Sequence, residues 1–460
     1  MSTRLRRWQA ECLALAKVHY LLHSDYFVQA TPASGKTRLA AEITRWLFEE
    51  GHIDFVICFA PTREVVAGIQ RTFTVVLNQR FGDTLASVGA AYTYQSMEYH
   101  PEEFWALFTE YRTLTIFDEI HHCAGHDPLL SNTWGQQIIQ RIQNATTYTL
   151  ALSGTPWRSD ELPIALARYS DPEGKLICDY RYDLQTAIQD GVCRSPRITL
   201  IDNPLIRLTE ENESTASVRA FSSFQQLLSE SPISYEDLLR HDDILNAVID
   251  LGIDRLNKER NSVPNAGGLV VATDIEHAHQ IAELLLNKGE SYVVVTSQTP
   301  KAHQLIDQYR YNSTRWIVAV SMISEGTDIQ RLCVCAYLSR IRTELHYRQV
   351  LGRILRKMGA PDVTAWLYVI AEPLLRKYSQ RIADDLPEDQ AMLQTQKLNL
   401  RLEQARSHQM NGTQEGESAA DNGQPLSAEN INEREMLSLE PPLLTLSFSE
   451  YYRQHLLSLI

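Results

Sequence analysis

Residues 26–51 read YFVQATPASGKTRLAAEITRWLFEEG, and this stretch decides the fold. Its first five residues, YFVQA, form a short apolar run of the kind that makes a buried strand. Its last fifteen, TRLAAEITRWLFEEG (37–51), carry apolar residues at helical spacing and stop at a glycine. The turn between them ends in Gly35-Lys36-Thr37. A strand, a tight turn and a helix N-terminus aim consecutive backbone N–H groups at one point, which suits a phosphate. Gly35 lets the backbone approach closely, Lys36 supplies a fixed positive charge, and Thr37 supplies a hydroxyl for Mg²⁺. In the full pattern G-x-x-x-x-G-K-[ST] the first position is Ala30, so the match is incomplete and its context has to support it.

That context repeats outward. DFVICFAP (54–61), TLTIFDE (113–119) and TYTLALSGTP (147–156) read as further buried strands, with REVVAGIQRTFTVVLN (63–78) as a helix between them. Strand–helix alternation predicts a parallel α/β sheet with ligands at the carboxyl ends of its strands. The pattern returns in GGLVVATD (267–274), SYVVVTS (291–297), RWIVAVSMIS (315–324), LCVCAYLS (332–339) and TAWLYVIA (364–371). The expected domains are 1–165, a connecting or insert region 166–240, a second α/β unit 241–375, and a C-terminal extension 376–460. Residues 407–433 are rich in Gln, Asn, Gly, Ser and Glu and read as a flexible linker. An apolar segment that should dock closes the chain.

The 460 residues are 44% hydrophobic and 22% charged, as in a soluble globular chain. No apolar run reaches the roughly 18–20 residues that span a bilayer. The N-terminal stretch is not read as a secretory signal, because Glu11 and Lys17 interrupt it. Seven scattered cysteines fit a reducing cytoplasm better than a disulfide framework. The net charge of −14 argues against a uniformly basic binding surface, but local fields decide binding. Residues 338–357 hold Arg340, Arg342, Arg348, Arg353, Arg356 and Lys357 against the single Glu344.

Asp118-Glu119 ends the strand TLTIFDE. An acidic pair there is costly to bury unless it meets a cation. Asp118 is placed to hold Mg²⁺ and Glu119 to orient and deprotonate an attacking water.

Asp118-Glu119-Ile120-His121 resembles the D-E-x-H box of superfamily 2 DEAD/DEAH-box helicases and translocases. Arg6-Arg7-Trp8-Gln9 resembles the adenine-reading motif of that superfamily, Pro61-Thr62-Arg63 motif Ia, and Thr93-Tyr94-Gln95-Ser96 motif Ib. Ser153-Gly154-Thr155-Pro156 resembles motif III, Ser324-Glu325-Gly326-Thr327-Asp328 motif V, and Gln349–Arg356 motif VI. The resemblance covers residues 4–375. Within the superfamily it is nearest to the motor subunits of type I and III restriction enzymes and to related DNA repair or phage helicases.

The resemblance implies two tandem RecA-like parallel-sheet domains with a mostly helical C-terminal extension, and ATP with Mg²⁺ in the cleft between them. It implies phosphate-loop contacts from Thr31, Pro32, Ala33, Ser34, Gly35, Lys36 and Thr37, adenine recognition by Gln9, and metal contacts from Thr37 and Asp118. Catalysis would fall to Lys36, Glu119, Arg353 and Arg356, with Gly326 and Asp328 against the nucleotide. Arg353 and Arg356, three apart on an expected helix of the second unit, would reach the γ-phosphoryl group when the cleft closes. Thr62, Arg63, Thr93, Gln95, Thr273, Thr296 and Ser297 sit where strand-end hydroxyls and amides grip a nucleic-acid backbone. The expected partner is nucleic acid, DNA before RNA, with a protein partner through 376–460 and no membrane.

Departures matter too. Ala33 stands where such loops carry glycine, and a left-handed conformation there would cost about 1 kcal/mol. His121, His122, Cys123 and His126 lack a second cluster that would complete a zinc site. Glu173-Gly174-Lys175 matches the E-x-K fragment of nucleases and nothing supports it. An RNA helicase of the same chemistry, or a non-catalytic adaptor that kept the fold, stay open at this point.

Overall fold

The computed structural model describes residues 4–124, 132–154, 162–171, 176–212, 215–320, 328–359, 364–384, 391–392 and 443–459. The first sheet has six strands in the spatial order Gly89–Thr93, Phe55–Ala60, Thr113–Asp118, Tyr148–Ser153, Asp25–Ala30 and Tyr180–Tyr182. Every pairing in it is parallel. Helices cover both faces of such a sheet, so its central strands must be apolar throughout. Thr113–Asp118 is buried at all six positions.

Two helices set the loop and its flank. Lys36–Glu49 starts directly after Gly35 and presses Leu39, Ala40, Ile43 and Leu47 into the core. Arg63–Leu77 begins at Thr62, whose hydroxyl accepts the Val65 N–H at 3.4 Å and so satisfies an otherwise orphan donor.

The second sheet has eight strands. Six run parallel in the order Tyr292–Val295, Trp316–Ala319, Gly267–Val271, Leu332–Tyr337, Thr364–Ile370 and Ser195–Asp202. Arg453–Leu459 and then Ala391–Met392 extend it antiparallel. Two RecA-like sheets in tandem are therefore present, as expected.

Several strands escaped the sequence reading, three of them in the parallel parts of the two sheets. Gly89–Thr93 reads GAAYT, with no β-branched residue before its end. Its small residues are needed because a Cβ on Gly89 would lie 2.0 Å from the Val56 carbonyl oxygen. Tyr180–Tyr182 and Ser195–Asp202 both lie in 166–240, the stretch expected to connect the units. One strand completes the first sheet and the other belongs to the second, so the crossover between units is short.

The C-terminal extension also differs from expectation. Helix Pro373–Asp384 is present, but the described residues beyond it form strands. Leu443–Phe448 pairs with Ile206–Asn212, and Arg453–Leu459 pairs with Ser195–Asp202. The closing segment LLTLSF and RQHLLSL is thus docked by backbone ladders rather than by an amphipathic helix face. The linker 407–433 lies outside the described residues. No helix among the described residues is long and apolar enough to cross a membrane.

Candidate functional site

The loop after Asp25–Ala30 is tightly wound. Ala33 sits at φ 68° and Gly35 at φ 95°, both left-handed. For Ala33, which carries a Cβ, this conformation is strained. Lys36 caps the turn from inside. Its ammonium donates to the Ala30 carbonyl at 3.0 Å and lies 3.1 Å from a Glu119 carboxylate oxygen.

Glu119 is held on several sides. Its other oxygen accepts the Gly154 N–H at 2.9 Å and lies 3.4 Å from His121 Nδ1. His121 Nδ1 is also 2.9 Å from the Ser153 hydroxyl. Strand Tyr148–Ser153, neighbour of Thr113–Asp118, thereby reaches the acidic pair directly. The Glu119 backbone itself is left-handed at φ 54°, which turns the chain sharply at the strand end. Gly154 has no room to spare: an added Cβ would come within 3.1 Å of the Lys36 ammonium.

The two carboxyls are driven apart. Burial pushes Asp118 up to about 7, and the Glu119 charge adds to the rise. Burial also opposes ionisation of Glu119, but the Lys36 ammonium, His121 and the Gly154 amide outweigh it and hold that carboxyl at about 2. One Asp118 oxygen, Oδ1, is buried with no hydrogen-bond partner. A buried acceptor left bare beside a second carboxylate is the donor set a divalent cation would satisfy. Among the described residues no group of three or more His, Cys, Asp or Glu is placed to hold a metal ion. His126 and Glu173-Gly174-Lys175 lie outside those residues.

The second domain closes over this loop. A Cβ on Gly352 would lie 2.7 Å from the Pro32 side chain, so the helix Glu344–Ile354 packs on the loop at its one glycine. Arg353 follows and lines the cleft with Lys36, Thr37, Asp118 and Glu119. Arg356 lines it too, and forms an ion pair with Asp328. The helix ends at Ile354, so Arg353 and Arg356 do not share its face as expected. The chain leaves the helix there because Leu355 accepts the Arg194 N–H and Arg356 bridges to Cys193. On the cleft's flank, His303 Nε2 lies 3.2 Å from Glu64 and ties the two domains. The cleft encloses about 1810 Å³.

The structure thus gathers Thr37, Lys36, Asp118, Glu119, Asp328, Arg353 and Arg356 on one space. Gln9 is placed differently from a residue open to a base. It is buried, its amide N–H donates to the Gly35 carbonyl at 2.9 Å, and its amide oxygen accepts the Arg6 N–H at 2.9 Å. The strand-end hydroxyls are largely engaged locally. Thr62 caps its helix, buried Thr273 meets His277 Nδ1 at 2.9 Å, and buried Thr296 meets Thr299 at 3.0 Å. Thr93 is half-buried, while Arg63, Gln95 and Ser297 are exposed. Gly326 and Thr155 lie outside the described residues. Sequence reasoning placed Arg6 in the adenine-reading motif but gave it no contact of its own; its guanidinium reaches the loop carbonyls, and no spacing rule links it to them.

Fold and cleft together define a protein of two tandem RecA-like domains facing one another across a phosphate-loop site. Comparison with known proteins agrees. Residues 2–158 match the family model for the type III restriction enzyme res subunit, and residues 245–358 match the helicase conserved C-terminal domain. An uncharacterised protein of Mycobacterium leprae is 31% identical over 403 residues, covering 83% of this chain and 64% of its own. The chain thus spans less than two thirds of the length of that relative. A protein of Sulfurisphaera tokodaii named DNA 3'-5' translocase XPB2 is 27% identical over 283 residues, covering 58% of this chain and 60% of that protein. Among solved structures, a fragment of a putative HsdR subunit of a type I restriction enzyme from Vibrio vulnificus superposes with TM-score 0.56 at 15% identity. It covers 83% of this chain and 67% of that one. In both of its domains the chain is thus similar to the helicases and translocases of superfamily 2, in the restriction-enzyme-like branch.

Proposed function

We propose that the protein is an ATP-hydrolysing motor that moves along nucleic acid, with DNA as its track. One observation carries this reading: the cleft brings Lys36, Asp118 and Glu119 of the first domain to face Arg353 of the second. Lys36 and Glu119 form an ion pair at 3.1 Å. Phosphates entering the loop compete for the Lys36 ammonium, which leaves the Glu119 carboxylate to accept a proton from water. Asp118 and Thr37 would hold Mg²⁺, which neutralises charge on the β- and γ-phosphates when bound. Arg353 meets the developing charge only in the closed cleft, so turnover follows domain closure.

DNA is favoured because the named relative is a DNA translocase and the family model is that of a restriction-enzyme subunit. The strand-end residues Thr62, Arg63, Thr93, Gln95, Thr273, Thr296 and Ser297 remain the proposed grips on the sugar–phosphate backbone. The buried hydroxyls among them would act through the loops they brace. The proposed domain limits are those read from sequence, amended so that Tyr180–Tyr182 joins the first domain and Ser195–Asp202 and Arg453–Leu459 the second, and residues 376–460 are the proposed site of a protein partner. The test is Glu119→Gln. It should still bind ATP by calorimetry and DNA by anisotropy, yet lose steady-state turnover. Undiminished turnover would remove Glu119 from the chemistry.

A further inference from the structure

The question left by the loop is what holds Ala33 in a conformation that disfavours every residue with a Cβ. The bonds that reach it come from one place. Arg6 donates from one guanidinium nitrogen to the Ser34 carbonyl at 2.5 Å and to the Ala33 carbonyl at 3.3 Å. Gln9, one helical turn on, donates to the Gly35 carbonyl at 2.9 Å. Three consecutive carbonyls of the loop are therefore held by two side chains from the start of helix Arg7–His19. That helix is itself anchored, because Trp8 is buried and stacks on Tyr182 at 4.7 Å between ring centroids. Tyr182 accepts the Thr31 N–H through its carbonyl at 2.9 Å, so loop and clamp share one support. The fit over the loop is close: a Cβ on Gly35 would lie 2.9 Å from the Gln9 amide nitrogen and 3.4 Å from Arg6.

We infer that Arg6 and Gln9 are positioning residues that hold the strained Ala33-Ser34-Gly35 backbone in its phosphate-binding shape. This rests on the nucleotide reading of the cleft and deepens it. The Ser34 N–H closes the turn on the Thr31 carbonyl at 3.3 Å; carbonyls of Ser34 and Gly35 turned toward the clamp leave the Gly35 and Lys36 N–H groups for an anion in the cleft. The Gln9 amide is buried, bonds to the clamp through both its nitrogen and its oxygen, and does not line the cleft, so it faces the loop rather than a base. The recognised group is then the polyphosphate, and the Gln9 contribution to affinity is independent of the base.

The experiment is calorimetric titration of the full chain with Mg-ATP, Mg-GTP and Mg-tripolyphosphate. Arg6→Ala, at an exposed position, should weaken all three by a similar factor, roughly tenfold, about the worth of one charge-assisted hydrogen bond. Gln9→Ala should do the same with no preference for ATP. Ala33→Gly added to Arg6→Ala should restore most of the loss, because glycine adopts the left-handed conformation without the clamp. In the otherwise native chain Ala33→Gly should change affinity only a few-fold. Losses confined to ATP would mean the pair reads the base and would overturn the inference. So would failure of Ala33→Gly to rescue Arg6→Ala while thermal melts show both variants folded. A native chain that binds none of the three ligands would overturn the nucleotide reading itself, and this inference with it.

Discussion

The phosphate loop and the strand-end hydroxyls begin as the same kind of signal, polar residues just after a buried strand. In three dimensions they separate. Lys36, Asp118 and Glu119 converge, and two of them oppose each other at 3.1 Å with little access to water. Thr62, Thr273 and Thr296 instead satisfy donors or acceptors within four residues of themselves. A charged group drawn into a low-dielectric site needs a reason, whereas a hydroxyl at a helix start already has one in the cap. The difference predicts unequal consequences when each is removed.

The largest effect should come from Arg353→Ala. If Arg353 meets the transferring phosphoryl group, steady-state ATPase should fall by roughly 10³–10⁵ while ATP affinity stays within a few-fold. A rate near that of the native chain would end the comparison by making the two faces of the cleft independent.

The next is Asp118→Asn, which tests the bare buried carboxyl. A carboxyl raised in the fold from its ordinary 3.8 to about 7 binds its proton more tightly folded than unfolded. The Asp118 contribution to ligand-free stability therefore declines as pH rises from about 4 to about 7 and is flat above, against an opposite slope from His277, whose buried imidazole is lowered to about 4. In chelator, Asp118→Asn should remove that contribution, so that the difference from the native chain grows between pH 4 and 7, and raise the midpoint near pH 8 by roughly 2–4 °C for each kcal/mol relieved. It should also abolish the added stability that Mg²⁺ with ADP confers on the native chain. An unchanged slope would show that Asp118 is not the group under stress.

The smallest effect belongs to Thr62→Ala. Losing this cap should cost about 1 kcal/mol of stability in a urea melt. DNA affinity at fixed salt should fall only a few-fold. A loss of a hundredfold would mean that the hydroxyl leaves its cap to grip the backbone, and the contrast drawn above would fail.

Much of this was legible in the sequence because its signals are local. Strand, turn and helix around Gly35-Lys36-Thr37 lie within 26 consecutive residues, and Asp118-Glu119 ends a six-residue apolar run. What escaped was set by contacts distant in sequence. Gly89–Thr93 is a strand because its small residues fit beside Val56. Ser195–Asp202 is one because Thr364–Ile370 offers an open edge. The C-terminal strands likewise pair with partners some 240 residues away, such as Ile206 with Phe448, and no helical or alternating period announces that pairing. Arg6 reads as the first residue of a motif centred on Gln9, with no role of its own, until the loop 27 residues later turns its carbonyls toward it. The break at Leu355 comes from Arg194, a residue 161 positions earlier in the numbering.

The central claim is that the cleft converts ATP hydrolysis into movement on a nucleic-acid strand. Steady-state ATPase, measured with no nucleic acid and with matched single-stranded DNA, double-stranded DNA and RNA, tests it most directly. The account predicts a low basal rate, stimulation at least tenfold by DNA, weaker stimulation by RNA, and none in Glu119→Gln. A folded chain that binds ATP but turns it over at one rate with every polymer and with none would contradict it.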